Sequence, residues 1–222
     1  MKPNTNSSQL ASLISDRIRR SIDVKKALLA DTGLQNSIAA AAMEVVKTLQ
    51  AGGKVIFCGN GGSAADSQHL AAEFTGRYLK ERRALPAMAL SVNTSSLTAI
   101  GNDYGFDLVF ARQLEALGNK GDVLVGISTS GNSRNVIRAM EAAKEKSIYT
   151  VSLTGAAGGA MKELADCAIC APSDETPRIQ ECHILIGHII CEIAEEALFG
   201  ELHARSDESA EAEPRHLVPE TK

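Results

Sequence analysis

Val55-Ile56-Phe57-Cys58-Gly59-Asn60-Gly61-Gly62-Ser63 is a short apolar run that breaks into a glycine-rich turn. Beyond it, Ala64–Arg77 returns to helical spacing. The same order recurs at Val123-Leu124-Val125-Gly126-Ile127, where the turn is Ser128-Thr129-Ser130-Gly131-Asn132-Ser133 and the helix-like stretch is Asn132–Lys144. Three more apolar runs, Ala87–Val92, Thr150–Leu153 and Cys167–Cys170, are bounded by Gly, Pro, Asp or Ser, with helix-like stretches at Phe106–Leu117 and Gly159–Leu164. Short strands alternating with helices predict an α/β fold, a parallel sheet covered by helices on both faces. Ligands of such sheets bind beyond the carboxyl ends of the strands, where the two turns stand.

Ahead of the first strand, Gln9–Leu29 carries Leu10, Leu13, Ile14, Ile18 and Ile22 at helical spacing, an amphipathic helix with its charges on the other face. A second helix, Leu34–Leu49, stops at Ala51-Gly52-Gly53. The last helix, Pro177–Leu198, has Ile179, Ile184, Leu185, Ile186, Ile189, Ile190, Ile193 and Leu198 around most of its circumference. That predicts burial on all sides, and in a domain this small it predicts burial against other subunits. Past Gly200 the composition shifts to Glu, Asp, Ser, Ala and Pro. The expected organisation is an N-terminal helical arm over 1–33, a main domain over 34–200 and a mobile acidic tail over 201–222.

The composition excludes several classes. The chain of 222 residues has a formal charge of −4, no Trp and only 4% aromatic residues. No global positive field would attract nucleic acid or anionic membranes, and there is little with which to stack single-stranded bases. Met1 to Ser8 is polar and does not read as a secretory signal, and no uncharged apolar stretch reaches membrane-spanning length. The expected location is the cytoplasm. The five cysteines, Cys58, Cys167, Cys170, Cys182 and Cys191, do not suggest a thiol cluster. Cys167 and Cys170 lie three apart on a strand and so point to opposite faces. Reduced core thiols are the expected state.

The two turns differ in chemistry. In Gly59-Asn60-Gly61-Gly62-Ser63 the glycines permit close backbone approach to a ligand, and Ser63 is placed to cap a helix from Ala64. Ser128 to Ser133 offers four hydroxyls in six residues at a helix N-terminus. Backbone N–H groups, the helix dipole and hydroxyls together make a phosphate cradle without Lys or Arg, whereas N-capping alone needs one hydroxyl. His69 and Glu73, four apart, share a helix face and can hold one metal or one substrate. Gln180, His183 and His188 lie on the last helix. Imidazole and carboxylate ligands suit zinc or a similar divalent ion, although a His in an apolar helix is usually a hydrogen-bonded core residue.

These residues stand in longer motifs. Gly59 to His69 with Glu73 and Arg77, Ala99 to Gly105, Gly126 to Ser133, and Thr176 to Glu181 with His188 together resemble the phosphoheptose isomerase family, over about residues 10 to 200. The resemblance implies the sugar-isomerase (SIS) fold, a flavodoxin-like five-stranded parallel sheet with added N-terminal helices, assembled as a homotetramer with the site at a subunit interface. It implies one zinc per subunit held by His69, Glu73, Gln180 and His188, with Glu73 and His188 as the acid/base pair. It also implies substrate contacts from Asn60, Gly61, Gly62, Glu73, Asn102, Asp103, Ser128, Thr129, Ser130, Ser133 and Gln180. The implied reaction converts D-sedoheptulose 7-phosphate to D-glycero-D-manno-heptose 7-phosphate, the first step toward the heptose of bacterial lipopolysaccharide or related glycans.

Residue chemistry agrees with that implication. Moving a carbonyl between C2 and C1 passes through an enediol. A carboxylate can carry the proton, and a Lewis acid or hydrogen-bond donor can stabilise the oxyanion. Asp66 and Asp103 compete with Glu73 for the role of base or can assist ring opening. The rival from another class is a binding protein resembling the DnaA initiator-associating protein, which shares the fold but lacks the matching Glu and last His. Glu73 and His188 favour the enzyme. Gln180 and His188 pose a geometric problem, because eight residues of straight helix separate them by about 12 Å along the axis. Either the helix begins after Gln180 or the two act from different chains.

Overall fold

A computed structural model describes residues 7–200. The acidic tail expected at 201–222 and the first six residues of the arm lie outside the described residues. Helices α1 (Ser7–Ala30) and α2 (Thr32–Gln50) come first. They are separated at Asp31, whose carboxylate caps α2 by accepting from the Leu34 amide at 2.9 Å. There follow β1 (Val55–Gly59), α3 (Gly62–Thr75), β2 (Ala87–Ala89), α4 (Thr94–Tyr104), α5 (Ala111–Leu117), β3 (Val123–Ile127), α6 (Arg134–Glu145), β4 (Tyr149–Thr154), α7 (Gly159–Leu164), β5 (Cys167–Cys170) and α8 (Thr176–Phe199).

All five strands pair in parallel, in the order β2-β1-β3-β4-β5. This is the flavodoxin-like doubly wound order, and its switch point lies between β1 and β3. Alternate strand residues feed two cores, as the period of two requires. Val55, Phe57, Val125, Ile127, Val151 and Leu153 pack with α2, α3 and α8. Ile56, Cys58 and Leu124 pack with α5, α6 and α7 on the other face. β1 and β3 are buried along their whole length, which is why they read as unbroken apolar runs rather than alternating ones.

Four details differ from the sequence expectation. The run Ala87–Val92 yields only a three-residue edge strand, because the chain turns after Leu90 into a helix capped by Asn93, whose side chain accepts from the Ser96 amide at 3.0 Å. That helix, α4, is hard to read from the sequence because none of its residues is fully buried and only Leu97 and Ile100 rest against the core, a short apolar signal among Thr, Ser, Gly and Asn. Phe106–Leu117 is not one helix but a 3₁₀ turn, Phe106–Leu108, followed by α5. α3 begins at Gly62, not Ala64, and Ser63 does not cap it. Gly61 is the cap residue, and Ser63 is buried inside the first turn.

α1 lies against α8 through polar bonds. Arg20 pairs with Glu175 at 2.9 Å, Ser21 donates to Glu181 at 2.6 Å, and Arg178 donates to the Arg17 carbonyl at 3.0 Å. The apolar stripe of α1 therefore faces away from the chain, and Leu10, Leu13, Ile14, Ile18 and Ile22 are 45–60% exposed. α8 buries Ile179, Cys182, Ile186, Ile190 and Ala194, while Ile184, Ile189 and Ile193 are only partly covered. The burial on all sides expected of this helix is not completed within one chain. All five cysteines are free. Among the described residues, no helix is long and apolar enough to cross a membrane.

Candidate active site

Both chemical turns leave adjacent central strands at their carboxyl ends, β1 into Gly59–Gly61 and β3 into Ser128–Ser133. Asn60 joins the two. Its carboxamide pairs both ways with that of Asn135, each bond 2.9 Å, and Asn135 Oδ1 also accepts from the Val136 amide at 3.0 Å. Asn135 is buried in the first turn of α6. Sequence reasoning missed it, and its only signal is an amide side chain directly after the serine turn.

In the second turn the hydroxyls gather. Ser128 Oγ lies 2.8 Å from Ser133 Oγ and 3.4 Å from Ser130 Oγ. Ser133 is the N-cap residue of α6, yet its hydroxyl caps no amide there. The cluster is thus not explained by capping. It stands at the positive end of a 12-residue helix, where an anion is favoured. Gly131 makes the turn possible. Its φ is +66°, and a Cβ on it would enter the Gly158 carbonyl. Thr129 holds the turn from behind, its carbonyl accepting from the Gly155 amide at 3.0 Å.

The third group converges from α3 and α8. His69 Nε2 lies 3.2 Å from Glu73 Oε1 and 2.9 Å from His188 Nε2. One ligand atom from each of the three side chains falls within 4.8 Å of the others. Two imidazole nitrogens that face each other at this distance repel unless one carries a proton or both face a cation. With a carboxylate alongside, the donor set fits a divalent metal of the zinc type. The Tyr78 ring lies over His188 at 5.6 Å between centroids. Asp66, one turn before His69, has one buried carboxylate oxygen without a partner. Burial pushes its carboxyl above the usual range, against the opposing pull of His69 and His188.

The remaining expected site residues lie elsewhere. Gln180 belongs to α8, which begins at Thr176, so the helix does not start after it. Its amide packs over Gly62 so closely that a Cβ there would meet it. His188 stands on the same helix eight residues further along, about 12 Å along its axis. Asn102 and Asp103, at the end of α4, are exposed, and the Asn102 amide donates to Asp103 at 2.8 Å. His183 is fully buried, its Nε2 3.0 Å from the Thr154 carbonyl, which removes it as an alternative ligand.

Burial also pushes the His183 imidazole below its ordinary value near 6.5. The folded chain then binds this proton less readily than the unfolded one, so the stability it contributes is present above about pH 6.5 and is lost as pH falls below it. The slope approaches about 1.4 kcal/mol per pH unit. Melting temperature should fall between pH 6.5 and 5, and His183→Gln, which keeps a donor for Thr154, should flatten that fall. Equal slopes in variant and wild type would count against the assignment.

A doubly wound parallel sheet with glycine and serine turns at the β1/β3 switch point and a hydroxyl cluster at a helix N-terminus fits the SIS-domain class, and residues 21–155 match the family model described as SIS domain. The chain is 62% identical over 162 residues to the phosphoheptose isomerase of Rhodospirillum rubrum, covering 73% of this chain and 86% of that one. To the phosphoheptose isomerase of Aneurinibacillus thermoaerophilus it is 55% identical over 186 residues, covering 84% and 94%. The solved phosphoheptose isomerase from Neisseria gonorrhoeae superposes with a TM-score of 0.79 at 45% identity, covering 84% of this chain and 99% of that one. Within the SIS-domain class, the chain belongs to the phosphoheptose isomerase family.

Proposed function

We propose that the chain is an aldose–ketose isomerase that converts D-sedoheptulose 7-phosphate to D-glycero-D-manno-heptose 7-phosphate. The observation that carries this reading is the convergence of His69, Glu73 and His188 in a chain that also has three clustered hydroxyls at the α6 N-terminus. The hydroxyls and the α6 amides hold the phosphate, and Asn60, Gly61 and Gly62 admit the sugar backbone. Glu73 takes the proton from C1 as the C1–C2 double bond of the enediol forms, then returns it to C2. His188 moves the hydroxyl proton between the two oxygens, so atoms and charge balance with no redox partner. A carboxylate beside two imidazoles supplies the proton carrier and the donor set that an isomerase needs, which favours the enzyme over a binding-only protein.

Zinc is the metal that the donor set suits, held by His69, Glu73 and His188. Bound there, it would supply Lewis-acid stabilisation of the developing oxyanion. In this reading Gln180 of the partner subunit completes the set, since eight residues of helix separate it from His188. The exposed stripe of α1 and the half-covered face of α8 support assembly, with a tetramer as the proposed form. Five free thiols suit the cytoplasm. The product would feed heptose units into lipopolysaccharide or a related glycan.

Purified, zinc-loaded protein should turn over sedoheptulose 7-phosphate to the aldose. A folded, metal-loaded preparation with no turnover and no exchange of the C1 hydrogen with deuterated water would sink the assignment. Light scattering should report an assembly larger than a dimer, and an active monomer would overturn the shared site.

A further inference from the structure

Between α3 and β2 the chain runs through residues 76–86 without regular structure, yet it is organised around two charges that are almost completely buried. Arg82 and Glu195 are 1% and 2% exposed at the side chain, and they meet at 2.7 Å between Nε and Oε1. The same carboxylate accepts from three successive amides, Tyr78 at 3.1 Å, Leu79 at 2.7 Å and Lys80 at 2.8 Å. The guanidinium donates to the carbonyls of Glu73 at 2.8 Å, Phe74 at 3.0 Å and Gly76 at 3.1 Å. Those carbonyls belong to the last turn of α3 and the residue after it, where helical acceptors lack partners and a cation is favoured. Gly76 is the C-cap residue of the helix that carries His69 and Glu73, and the Arg82 side chain satisfies the carbonyls left at that end.

Glu195 stands on α8 seven residues after His188, two turns along and on the same face. The pair thus joins the end of α3 to α8 next to the place where His69, Glu73 and His188 meet. It also seats Tyr78, whose amide bonds Glu195 and whose ring rests against His188. Stability alone does not account for such a pair, because a buried ion pair is commonly matched or exceeded by apolar residues of the same volume. What it does provide is a fixed relation between two helices.

We propose that Arg82 and Glu195 are positioning residues for the His69–Glu73–His188 cluster. They hold the α3 and α8 ligand atoms at their mutual distance and keep the Tyr78 ring on His188. The inference rests on the metal-dependent isomerase reading above. Groups that orient metal ligands from outside typically contribute 10–100-fold in metal affinity or activity. Arg82→Lys keeps the charge but not the fork, and Glu195→Gln keeps the shape but not the charge.

Each variant should release zinc to a colorimetric chelator at least about tenfold faster than wild type and lose about tenfold in kcat. KM should stay within about twofold, because the hydroxyls that hold the phosphate stand at the α6 N-terminus, away from the end of α3 that Arg82 binds. These assays belong well below each variant's melting temperature, where a pair that only stabilises the fold would leave zinc release and kcat unchanged. If Arg82→Lys and Glu195→Gln do not fold, Tyr78→Leu decides. It leaves the ion pair intact, and it should also release zinc faster, whereas unchanged release in that variant would overturn the proposal. A wild type that holds no zinc would overturn the reading beneath it. A wild type that holds zinc, with variants that hold it as tightly, would overturn this inference alone.

Discussion

Glu73→Gln should bind sugar phosphate and fail to turn it over, with a loss of about 10²–10⁴-fold in kcat. The side chain stands on α3 one turn after His69, with its carboxylate 3.2 Å from the imidazole and half-buried. Glutamine keeps the volume and one oxygen that can still face the cluster. It removes the only feature a proton carrier needs, a second protonation state. The clearest measurement is exchange of the substrate's C1 hydrogen with deuterated water, which reads the first proton transfer even where net conversion is slow. Exchange at near the wild-type rate would reduce Glu73 to a ligand and move the base to His188 or Asp66. Asp66 is the nearer carboxyl competitor, since it shares α3 with the cluster while Asp103 is bonded to Asn102 in solvent.

His188→Ala should lose both metal and turnover, the second by at least about 100-fold. His188 is the one member of the cluster that comes from α8, so its removal leaves His69 and Glu73 as a two-residue site on a single helix. A pair of ligands one turn apart holds zinc weakly compared with three that converge from two helices. Metal content after dialysis is the direct readout, and unchanged content in the variant would reassign the ligand. His183→Gln is the matched control. It stands on the same helix, five residues earlier, but its ring is in the core against the Thr154 carbonyl. That variant should keep its metal while losing the pH response described above.

Much of the fold was legible because its signals are local. Unbroken apolar runs at Val55–Gly59 and Val123–Ile127 arise where a strand is buried on both faces, and glycine or serine turns mark their carboxyl ends. A helix with no fully buried residue sends only a weak signal, here Leu97 and Ile100, so α4 was missed, and an edge strand that stops after three residues looked longer than it is. In the site, His69 and Glu73 could be paired from their spacing, because one helical turn sets their distance. The paired amides of Asn60 and Asn135, 75 positions apart, could not, and neither could the Arg82–Glu195 pair.

The sequence by itself determined that this is a doubly wound α/β chain, with a phosphate-suited hydroxyl turn and a His–Glu pair beside a glycine turn. Only the tertiary structure decided which residue of α8 meets that pair. Gln180, His183 and His188 share one helix, and at 3.6 residues per turn they point in three different directions. His188 faces α3, His183 turns into the core beneath β4, and Gln180 lies over Gly62 at the head of α3. Which of these directions meets His69 and Glu73 depends on how α8 is rotated against the sheet. That rotation is set by the packing of Ile179, Cys182, Ile186 and Ile190 into the core, contacts between residues far apart in the chain that no local pattern encodes.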